Sequence, residues 1–292
     1  MASQATRDDR RAVLVTGAST GIGEACALRM HARGFLVYAG VRRTVDGDAL
    51  RARASSDRLV PVMLDVTSEE HIAEVGRRIE AERGERGLDG LVNNAGIAAA
   101  GPLEFLPISE LRRQFEINVI GQVAVTQALL PALRHARGRI VFLSSISGRS
   151  ALPFVGAYGA SKFAIEAIAD ALRVELGESG IHVSVVEPGV ITTPIWQTAL
   201  RRAEAVLLRD APPQLEEYYG SALAALRRMA ESGGGAGEPP DRVADDIEHA
   251  LTAPTPRTRY LIGRDARLRL VIERLVPTRL RDRMIRNRLK KI

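Results

Sequence analysis

Three polar side chains in the middle of the chain have types and a spacing that suit proton transfer. Tyr158 and Lys162 are four residues apart in a helical stretch, so both side chains lie on one face of the helix. A phenol with a pKa of about 10 is a poor acid–base group at neutral pH, but a neighbouring ammonium favours the phenolate and lowers that pKa. Ser145 lies 13 residues before the tyrosine and could hydrogen-bond the same reacting oxygen, as could its neighbour Ser144. Each residue alone fits a surface ion pair or a strand-end hydroxyl; together they favour acid–base chemistry at an alcohol or carbonyl.

A glycine-rich segment near the N-terminus suits phosphate binding. Residues 16–23 read TGASTGIG and stand between a β-branched apolar run and a helical stretch. Glycines there permit positive φ and a close approach of the backbone to a pyrophosphate, whose charge the helix N-terminus would meet. The placement and the TGxxxGxG spacing indicate a dinucleotide site. The residues predicted to bind the cofactor here are Gly17, Ser19, Thr20, Gly21, Ile22 and Gly23.

The elements that must position these groups alternate in type. Continuous apolar runs predict strands at residues 12–16, 36–39, 59–64, 91–92, 139–143, 183–186 and 260–262. Helical patterns occupy residues 24–32, 111–133, 157–176 and 241–251, and one further helix opens with Thr67 and Glu70 at capping-box spacing. This alternation predicts right-handed βαβ crossovers and an α/β fold, a Rossmann-type doubly wound parallel sheet.

The pattern changes after Pro194. Residues 196–229 form an irregular helical stretch that a glycine-rich hinge at 233–237 follows, which predicts a helical lid over about 194–240 on a single domain of residues 1–263. Residues 264–292 form a basic amphipathic extension with eleven basic and three acidic residues, a net charge of +8. Its apolar side either packs on the domain, the favoured interpretation, or rests on an anionic membrane. The apolar residues are Leu268, Leu270, Val271, Leu275, Leu280, Met284, Ile285 and Leu289.

Composition narrows the class of protein. The chain of 292 residues has a net charge of +6, so the part outside the basic extension carries −2, and no nucleic-acid partner is expected. The single cysteine, Cys26, precludes an internal disulfide and is expected to be buried. The histidines are scattered without ligand spacing, so no metal site is expected. Because no run of 18 apolar residues occurs and residues 1–11 are polar, we expect a cytoplasmic protein.

These motifs resemble the short-chain dehydrogenase/reductase family over about residues 12–193. The glycine turn, NNAG at 93–96, the asparagine of INV, Ser145, YxxxK at 158–162 and PGVITT at 188–193 follow one another in the family's order. The resemblance implies hydride transfer between a nicotinamide cofactor and an alcohol or carbonyl, with Tyr158 as acid–base group and Ser145 rather than Ser144 as its partner. It also implies that Lys162 holds the nicotinamide ribose and that Asn118 anchors a proton-relaying water. Further implied cofactor contacts are Asp65, Val66, Asn94, Ala95, Gly96, Tyr158, Lys162, Pro188, Gly189, Ile191 and Thr193.

The residues after the second strand favour NADP(H) over NAD(H). Val41 stands where NAD-preferring relatives carry an acid, and Arg42 and Arg43 follow. An arginine suits a 2′-phosphate. Against this, Thr20 stands where many NADP-binding members carry a basic residue, and both arginines could be solvated loop charges.

The segment after Thr193, together with a weaker resemblance in the C-terminal part of the chain, indicates the kind of substrate. Ile195, Trp196, Leu200, Val206, Leu207 and Leu208 offer apolar surface, either to a substrate or to the body of the domain. Residues 259–263 and 275–277 are similar to retinol dehydrogenases and 17β-hydroxysteroid dehydrogenases, which implies a small apolar, steroid-like or retinoid-like alcohol or carbonyl. The family likeness also implies a homodimer or homotetramer. Alternatives are a cofactor-binding sensor without turnover, or an epimerase or dehydratase of the same family.

Overall fold

The predicted alternation of strands and helices is confirmed. A computed structural model of the protein describes residues 10–208, 212–231 and 237–289. In this part of the chain seven parallel strands form one sheet in the order β3-β2-β1-β4-β5-β6-β7. The strands are β1 Ala12–Val15, β2 Leu36–Val41, β3 Leu59–Met63, β4 Gly90–Asn93, β5 Arg139–Leu143, β6 His182–Pro188 and β7 Arg259–Ile262.

Helices cover both faces of the sheet. They are α1 Gly21–Ala32, α2 Thr44–Ala52, α3 Glu69–Arg83, α4 Ile108–Phe115, α5 Gly121–Ala136, α6 Gly156–Glu175, α7 Ile195–Ala203, α8 Pro213–Glu231, α9 Pro240–Thr252, α10 Arg264–Leu275 and α11 Thr278–Leu289. Successive strand residues point to opposite faces, so β1 places Leu14 in the core under α3, α5 and α6, and Val13 and Val15 in the core under α1 and α9. Cys26 lies in the second core, where burial raises the pKa of its thiol to about 12, as expected of an inert buried cysteine.

The structure differs in local detail from the sequence prediction at three places. The capping box of Thr67 and Glu70 is wrong: Ser68 caps α3, and its hydroxyl accepts from the His71 N–H at 3.2 Å. Thr67 instead donates twice to Asp65. The long helix predicted over residues 111–133 lies within one helical stretch, Ile108–Ala136, in which a π-helical turn at Glu116–Ile120 separates α4 from α5. Helix α2 was not predicted.

One helical stretch is long and apolar enough to cross a membrane on length and composition alone. It runs over Ile108–Ala136 and includes α4 and α5. Val125, Leu129 and Leu133 on its inner side are buried in the core against the sheet. This is the pattern of a core helix in a globular domain.

The lid and the C-terminal segment continue this domain. The irregular stretch after Pro194 consists of α7, a π-helical turn at Glu204–Leu208, and α8. Residues 233–236 of the predicted glycine hinge and the side chains of Leu207 and Leu208 lie outside the described residues. Helix α10 is fixed to the loop after β6, because the Val190 N–H donates to Asp265 at 2.9 Å.

Candidate active site

The carboxyl ends of the central strands open into a cleft of about 300 Å³. The cleft lies where the strand order reverses between β1 and β4, the usual ligand position in such sheets. Most residues that the sequence predicts as functional line it: Gly17, Ser19, Thr20, Gly21, Ile22, Arg42, Asp65, Val66, Asn94, Ala95, Gly96, Ser145, Tyr158, Lys162, Pro188, Gly189, Ile191 and Thr193. The exceptions are Gly23, Arg43 and Asn118.

The glycine turn has the shape that a phosphate cradle requires. Gly17 and Gly21 have φ of 63° and 61°, which favour glycine. Gly23 lies beneath the turn, where an added Cβ would be 2.2 Å from the Gly17 carbonyl oxygen. The Thr20 side chain makes no capping hydrogen bond at the start of α1. The turn therefore presents backbone to the cleft with the helix N-terminus behind it, which fits a dinucleotide pyrophosphate.

Asn94 fixes the glycine turn to the end of β4. Its side-chain amide donates to the carbonyl oxygens of Thr16 at 2.8 Å and Gly17 at 3.0 Å. The Thr16 hydroxyl in turn accepts from the backbone N–H groups of Asn94 and Ala95, both at 2.9 Å. The NNAG segment therefore holds the floor of the cleft rigid.

Tyr158, Lys162 and Ser145 meet in the cleft, as predicted. Tyr158 and Lys162 lie on one face of α6, with the lysine Nζ 5.7 Å from the tyrosine ring centroid, and Ser145 follows β5. Burial raises the pKa of Tyr158, while the Ser145 hydroxyl and the Arg269 guanidinium oppose this rise. In the protein alone, burial therefore outweighs the groups that favour the phenolate. The predicted joint effect of Lys162 and an oxidised nicotinamide on this pKa stays a prediction.

Lys162 is anchored to the sheet. Its Nζ donates to the Leu143 carbonyl oxygen at 2.5 Å, and burial lowers the pKa of the ammonium to about 8 although Glu166 opposes this shift. Glu166 is buried one turn further along α6. Burial, with a contribution from Glu187, raises the pKa of Glu166 to about 7. Arg259 donates to both Glu166 and Glu187, at 3.0 and 3.1 Å.

The two serines after β5 have different surroundings. The Ser145 hydroxyl accepts from the Ser147 N–H at 3.1 Å and lies beside Tyr158. The Ser144 hydroxyl lies beside the Glu166 carboxylate instead. This geometry favours Ser145 as the partner of the tyrosine.

Asn118 lies behind the cleft in the π-helical turn. Its side-chain oxygen accepts from the Ile97 N–H at 2.9 Å, and its amide donates to the Ile97 carbonyl at 2.9 Å and to Ser161 at 3.2 Å. The side chain thus ties the loop after β4 to α6. A water-anchoring role for Asn118 stays a prediction.

The two arginines after β2 differ in their partners. Arg43 donates to both carboxylate oxygens of Asp46, at 2.8 and 2.5 Å. Arg42 lines the cleft near Asp65 and forms no ion pair within the described residues. Arg42 is therefore the arginine with its guanidinium available to a ligand.

An apolar wall adjoins the tyrosine. Trp196 packs edge-on against Tyr158, with ring centroids 5.4 Å apart and an interplanar angle of 72°. Ala98, Ala100, Val155, Ile195 and Ala199 belong to the same cluster. Sequence reasoning found Ile195 and Trp196 from their position after Thr193. It missed the alanines and Val155, which have no distinctive sequence signal, and Arg269, which is one of many arginines in the basic segment.

The chain belongs to the short-chain dehydrogenase family, whose pattern residues 11–204 match. It is 38% identical over 283 residues to mouse retinol dehydrogenase 5, covering 94% of this chain and 87% of the relative. It is 39% identical over 275 residues to human 17-beta-hydroxysteroid dehydrogenase type 6, covering 92% and 86%. A Burkholderia cenocepacia short chain dehydrogenase solved in complex with NADP is 26% identical, with a TM-score of 0.69 over 94% of this chain and 97% of that one. These matches identify an oxidoreductase of alcohols and carbonyls that uses a nicotinamide cofactor.

Proposed function

We propose that the protein interconverts a lipophilic alcohol and its ketone or aldehyde with NADP(H), and that Tyr158 is the general acid–base. The observation that carries the proposal is the meeting of Tyr158, Ser145 and Lys162 in the cleft that also contains the glycine turn. The retinol and hydroxysteroid dehydrogenases among its relatives act on alcohols of the proposed kind. This supports a steroid-like or retinoid-like substrate.

A bound nicotinamide dinucleotide supplies or accepts the hydride, and the protein supplies the proton. Tyr158 gives its hydroxyl proton to the oxygen of a carbonyl, or takes one from an alcohol. Ser145 hydrogen-bonds the same oxygen and orients it. Lys162, which the Leu143 carbonyl anchors, would hold the nicotinamide ribose. The glycine turn would bind the pyrophosphate, and the segment from Pro188 to Thr193 would hold the nicotinamide end.

The preference for NADP(H) rests on Arg42. Its guanidinium lines the cleft without an ion-pair partner in the described part of the chain, so its donors are free for a 2′-phosphate. The Burkholderia structure with NADP bound supports this choice.

The apolar character of the substrate rests on the wall beside Tyr158. Trp196, Ile195 and Val155 cluster with the tyrosine ring. A hydrocarbon body laid against them loses contact with water, which stabilises the complex in proportion to the area buried.

The test is a panel of apolar ketones and aldehydes, read as loss of NADPH absorbance. We expect turnover by the wild-type protein, and loss of turnover with retained NADPH binding in Tyr158→Phe. The matched control is Tyr218→Phe, since Tyr218 is exposed on α8. Tight NADPH binding without turnover of any carbonyl would favour a cofactor sensor. Conversion of an alcohol into its epimer, or loss of water from it, without net NADPH consumption would favour an epimerase or dehydratase.

We also propose a membrane contact for the C-terminal segment. Leu268, Val271, Leu275, Leu280 and Met284 are exposed on α10 and α11, so the favoured interpretation, in which they pack on the domain, is wrong for these five. Exposed apolar side chains among basic ones suit an anionic lipid surface. In a flotation assay with anionic vesicles, the full chain should float with the vesicles, whereas a variant lacking residues 264–292 should not. Equal flotation of both proteins would refute the membrane contact.

The association of two or more copies of the chain through α5 and α6 stays a prediction. Ile120, which precedes α5, and Phe163 and Val174 on α6 are exposed large apolar side chains. Such surface favours pairing with a second copy. Size-exclusion chromatography with light scattering should give a dimer or tetramer, and Val174→Glu should weaken it if α6 forms the interface.

A further inference from the structure

Helix α7 borders the cleft, and its start is fixed next to the cofactor site. Thr193, just before the helix, lies so close to the glycine turn that a Cβ added to Gly21 would be 3.1 Å from the Thr193 Cγ2 atom. The first residues of the helix, Ile195 and Trp196, line the cleft. The Trp196 ring packs edge-on against Tyr158, with centroids 5.4 Å apart. The first turn of α7 therefore forms one side of the proposed substrate site.

The other end of α7 is attached to α4 by a two-point ion pair. The Arg202 guanidinium donates from Nε to one carboxylate oxygen of Glu110 at 3.2 Å and from Nη2 to the other at 2.6 Å. The Glu110 side chain is only 7% exposed, whereas that of Arg202 is half exposed. The hydrogen bonds from Arg202 lower the pKa of Glu110, so the carboxylate is ionised at neutral pH. Two parallel hydrogen bonds fix orientation as well as distance.

Helix α4 is in turn fixed to the helix that carries Tyr158. One turn after Glu110, the buried Gln114 side chain lies between α4, the loop after β4 and α6. Its amide donates to the Ile97 carbonyl oxygen at 2.9 Å and to the Ser161 hydroxyl on α6 at 3.3 Å. The ion pair therefore attaches the end of α7 to the same framework that holds the acid–base residue.

Apolar packing alone would leave the position of α7 weakly determined. The structure describes all nine residues of this helix, and only Ala199 among them is buried. Apolar side chains in place of a partly buried ion pair would often hold two helices at least as strongly, because charges lose hydration when they pair. The ion pair adds a fixed orientation instead, since a fork of two hydrogen bonds permits little rotation of the helix.

We propose that Glu110 and Arg202 are positioning residues that fix Trp196 beside Tyr158 and so determine which apolar substrates the site accepts. The inference rests on the proposed dehydrogenase function and names the groups that set its specificity. Neither Glu110 nor Arg202 is among the described residues that line the cleft, so both act through α7 rather than on the substrate. When the pair is broken, the Trp196 ring can shift, and the wall no longer favours one substrate shape.

The experiment measures selectivity between a compact and a bulkier apolar ketone, with NADPH and the full-length protein. The two ketones are chosen so that their wild-type kcat/KM values differ by at least about tenfold, the lower end of the discrimination that one methylene group provides. Glu110→Gln and Arg202→Gln should each raise KM for the preferred ketone about tenfold and leave kcat within about threefold, because binding rather than proton transfer is weakened. The ratio of the two kcat/KM values should approach one.

A conservative variant and a matched control accompany these two. Arg202→Lys keeps the charge but not the planar fork, so it should retain part of the selectivity. The control is Arg77→Gln, since Arg77 pairs with Glu74 at 2.7 Å on the exposed side of α3. No residue of α3 is among those described as lining the cleft, so this variant should keep the wild-type KM, kcat and ratio. A loss of stability alone would lower the active fraction for both ketones alike and leave the ratio unchanged.

Trp196 reports its own position without turnover. It is the only tryptophan of the chain, so quenching of its fluorescence by acrylamide measures its exposure. Quenching should increase in Glu110→Gln and Arg202→Gln and stay at the wild-type value in the control. A double-mutant cycle adds a second check. Trp196→Ala should lose selectivity by itself, and adding Glu110→Gln to it should change the ratio of kcat/KM values little further.

The outcomes separate this inference from the proposed function. Unchanged selectivity or unchanged Trp196 quenching in Glu110→Gln and Arg202→Gln would overturn the inference and leave the proposed function intact. The same holds if wild type does not distinguish compact from bulky ketones, or if Glu110→Gln acts equally strongly on the Trp196→Ala protein. No turnover of any carbonyl by wild type would overturn the proposed function and the specificity role with it.

Discussion

Arg42 and Arg43 provide a matched test of cofactor recognition. They are adjacent, both are exposed, and both follow β2. Arg43 is held by Asp46 through two hydrogen bonds, whereas Arg42 lines the cleft with its guanidinium unpaired in the described residues. Arg42→Ala should therefore weaken NADPH binding, and Arg43→Ala should not.

The magnitude follows from the number and exposure of the contacts. A hydrogen bond to a charged group contributes about 1.5–3 kcal/mol, and about 1.4 kcal/mol corresponds to a tenfold change in affinity. Because Arg42 is open to solvent, its attraction to phosphate is screened, and the lower part of this range applies. We expect the Kd for NADPH to rise about 10- to 30-fold in Arg42→Ala. In Arg43→Ala it should stay within about threefold, since an exposed ion pair contributes about 1 kcal/mol or less.

The assay is a titration of NADPH and NADH against wild type and both variants, at low and high salt. The loss in Arg42→Ala should be confined to NADPH, because NADH lacks the 2′-phosphate, and it should shrink as salt rises. Equal losses for the two cofactors, or a loss in Arg43→Ala as large as that in Arg42→Ala, would refute the assignment.

Three further predictions concern the scaffold. Gly23→Ala would place a Cβ 2.2 Å from the Gly17 carbonyl oxygen and 2.4 Å from the Asn94 amide, so thermal melting should show a loss of at least about 2 kcal/mol together with weaker NADPH binding. The control is Gly76→Ala in α3, where an added Cβ would meet nothing closer than 3.6 Å, so this variant should stabilise the protein by about 0.5–1 kcal/mol. A Gly23→Ala variant as stable as wild type would contradict the packing argument. Ser68→Ala should cost about 1 kcal/mol in urea unfolding through loss of the α3 cap, and an unchanged midpoint would show that another group caps the helix. Burial raises the pKa of Glu166 from 4.5 to about 7. Between these pH values the folded protein binds more protons than the unfolded chain, so its stability falls as pH rises. Glu166→Gln should flatten that part of the stability–pH profile, and an identical slope in both proteins would refute the pKa shift.

The strands were predictable because the sheet is buried on both faces. Each strand then reads as a short continuous apolar run, as in AVLV of β1 and RIVFL of β5, and glycine or proline often marks its end. Helix α2 was missed for the opposite reason. It is only nine residues long and buries only Gly47 and Leu50, so few apolar positions mark it in the sequence.

The cofactor-facing part of the site was predictable because its groups lie in short contiguous segments. The turn at 16–23, the NNAG segment and YxxxK each bring their residues together by local geometry alone. Trp196 reaches the same cleft from α7, and Arg269 on α10 donates to the Ser150 carbonyl oxygen in the loop that follows Ser145. Their positions depend on how α10 and α7 pack, and α10 is held by long-range contacts such as that between Asp265 and Val190. No local pattern in the sequence encodes that contact.

The spacing of Tyr158 and Lys162 predicts that they are neighbours, but only burial decides how they titrate. Desolvation disfavours the charged form of both groups, so it raises the pKa of the phenol and lowers that of the ammonium to about 8. The protein alone therefore keeps Tyr158 protonated, ready to donate to a carbonyl oxygen. Arg269 works against this bias, and so would a positive charge in the nicotinamide position, since either favours the phenolate. The balance between proton donor and proton acceptor therefore depends on burial and on neighbouring groups that surround the tyrosine only in the folded protein.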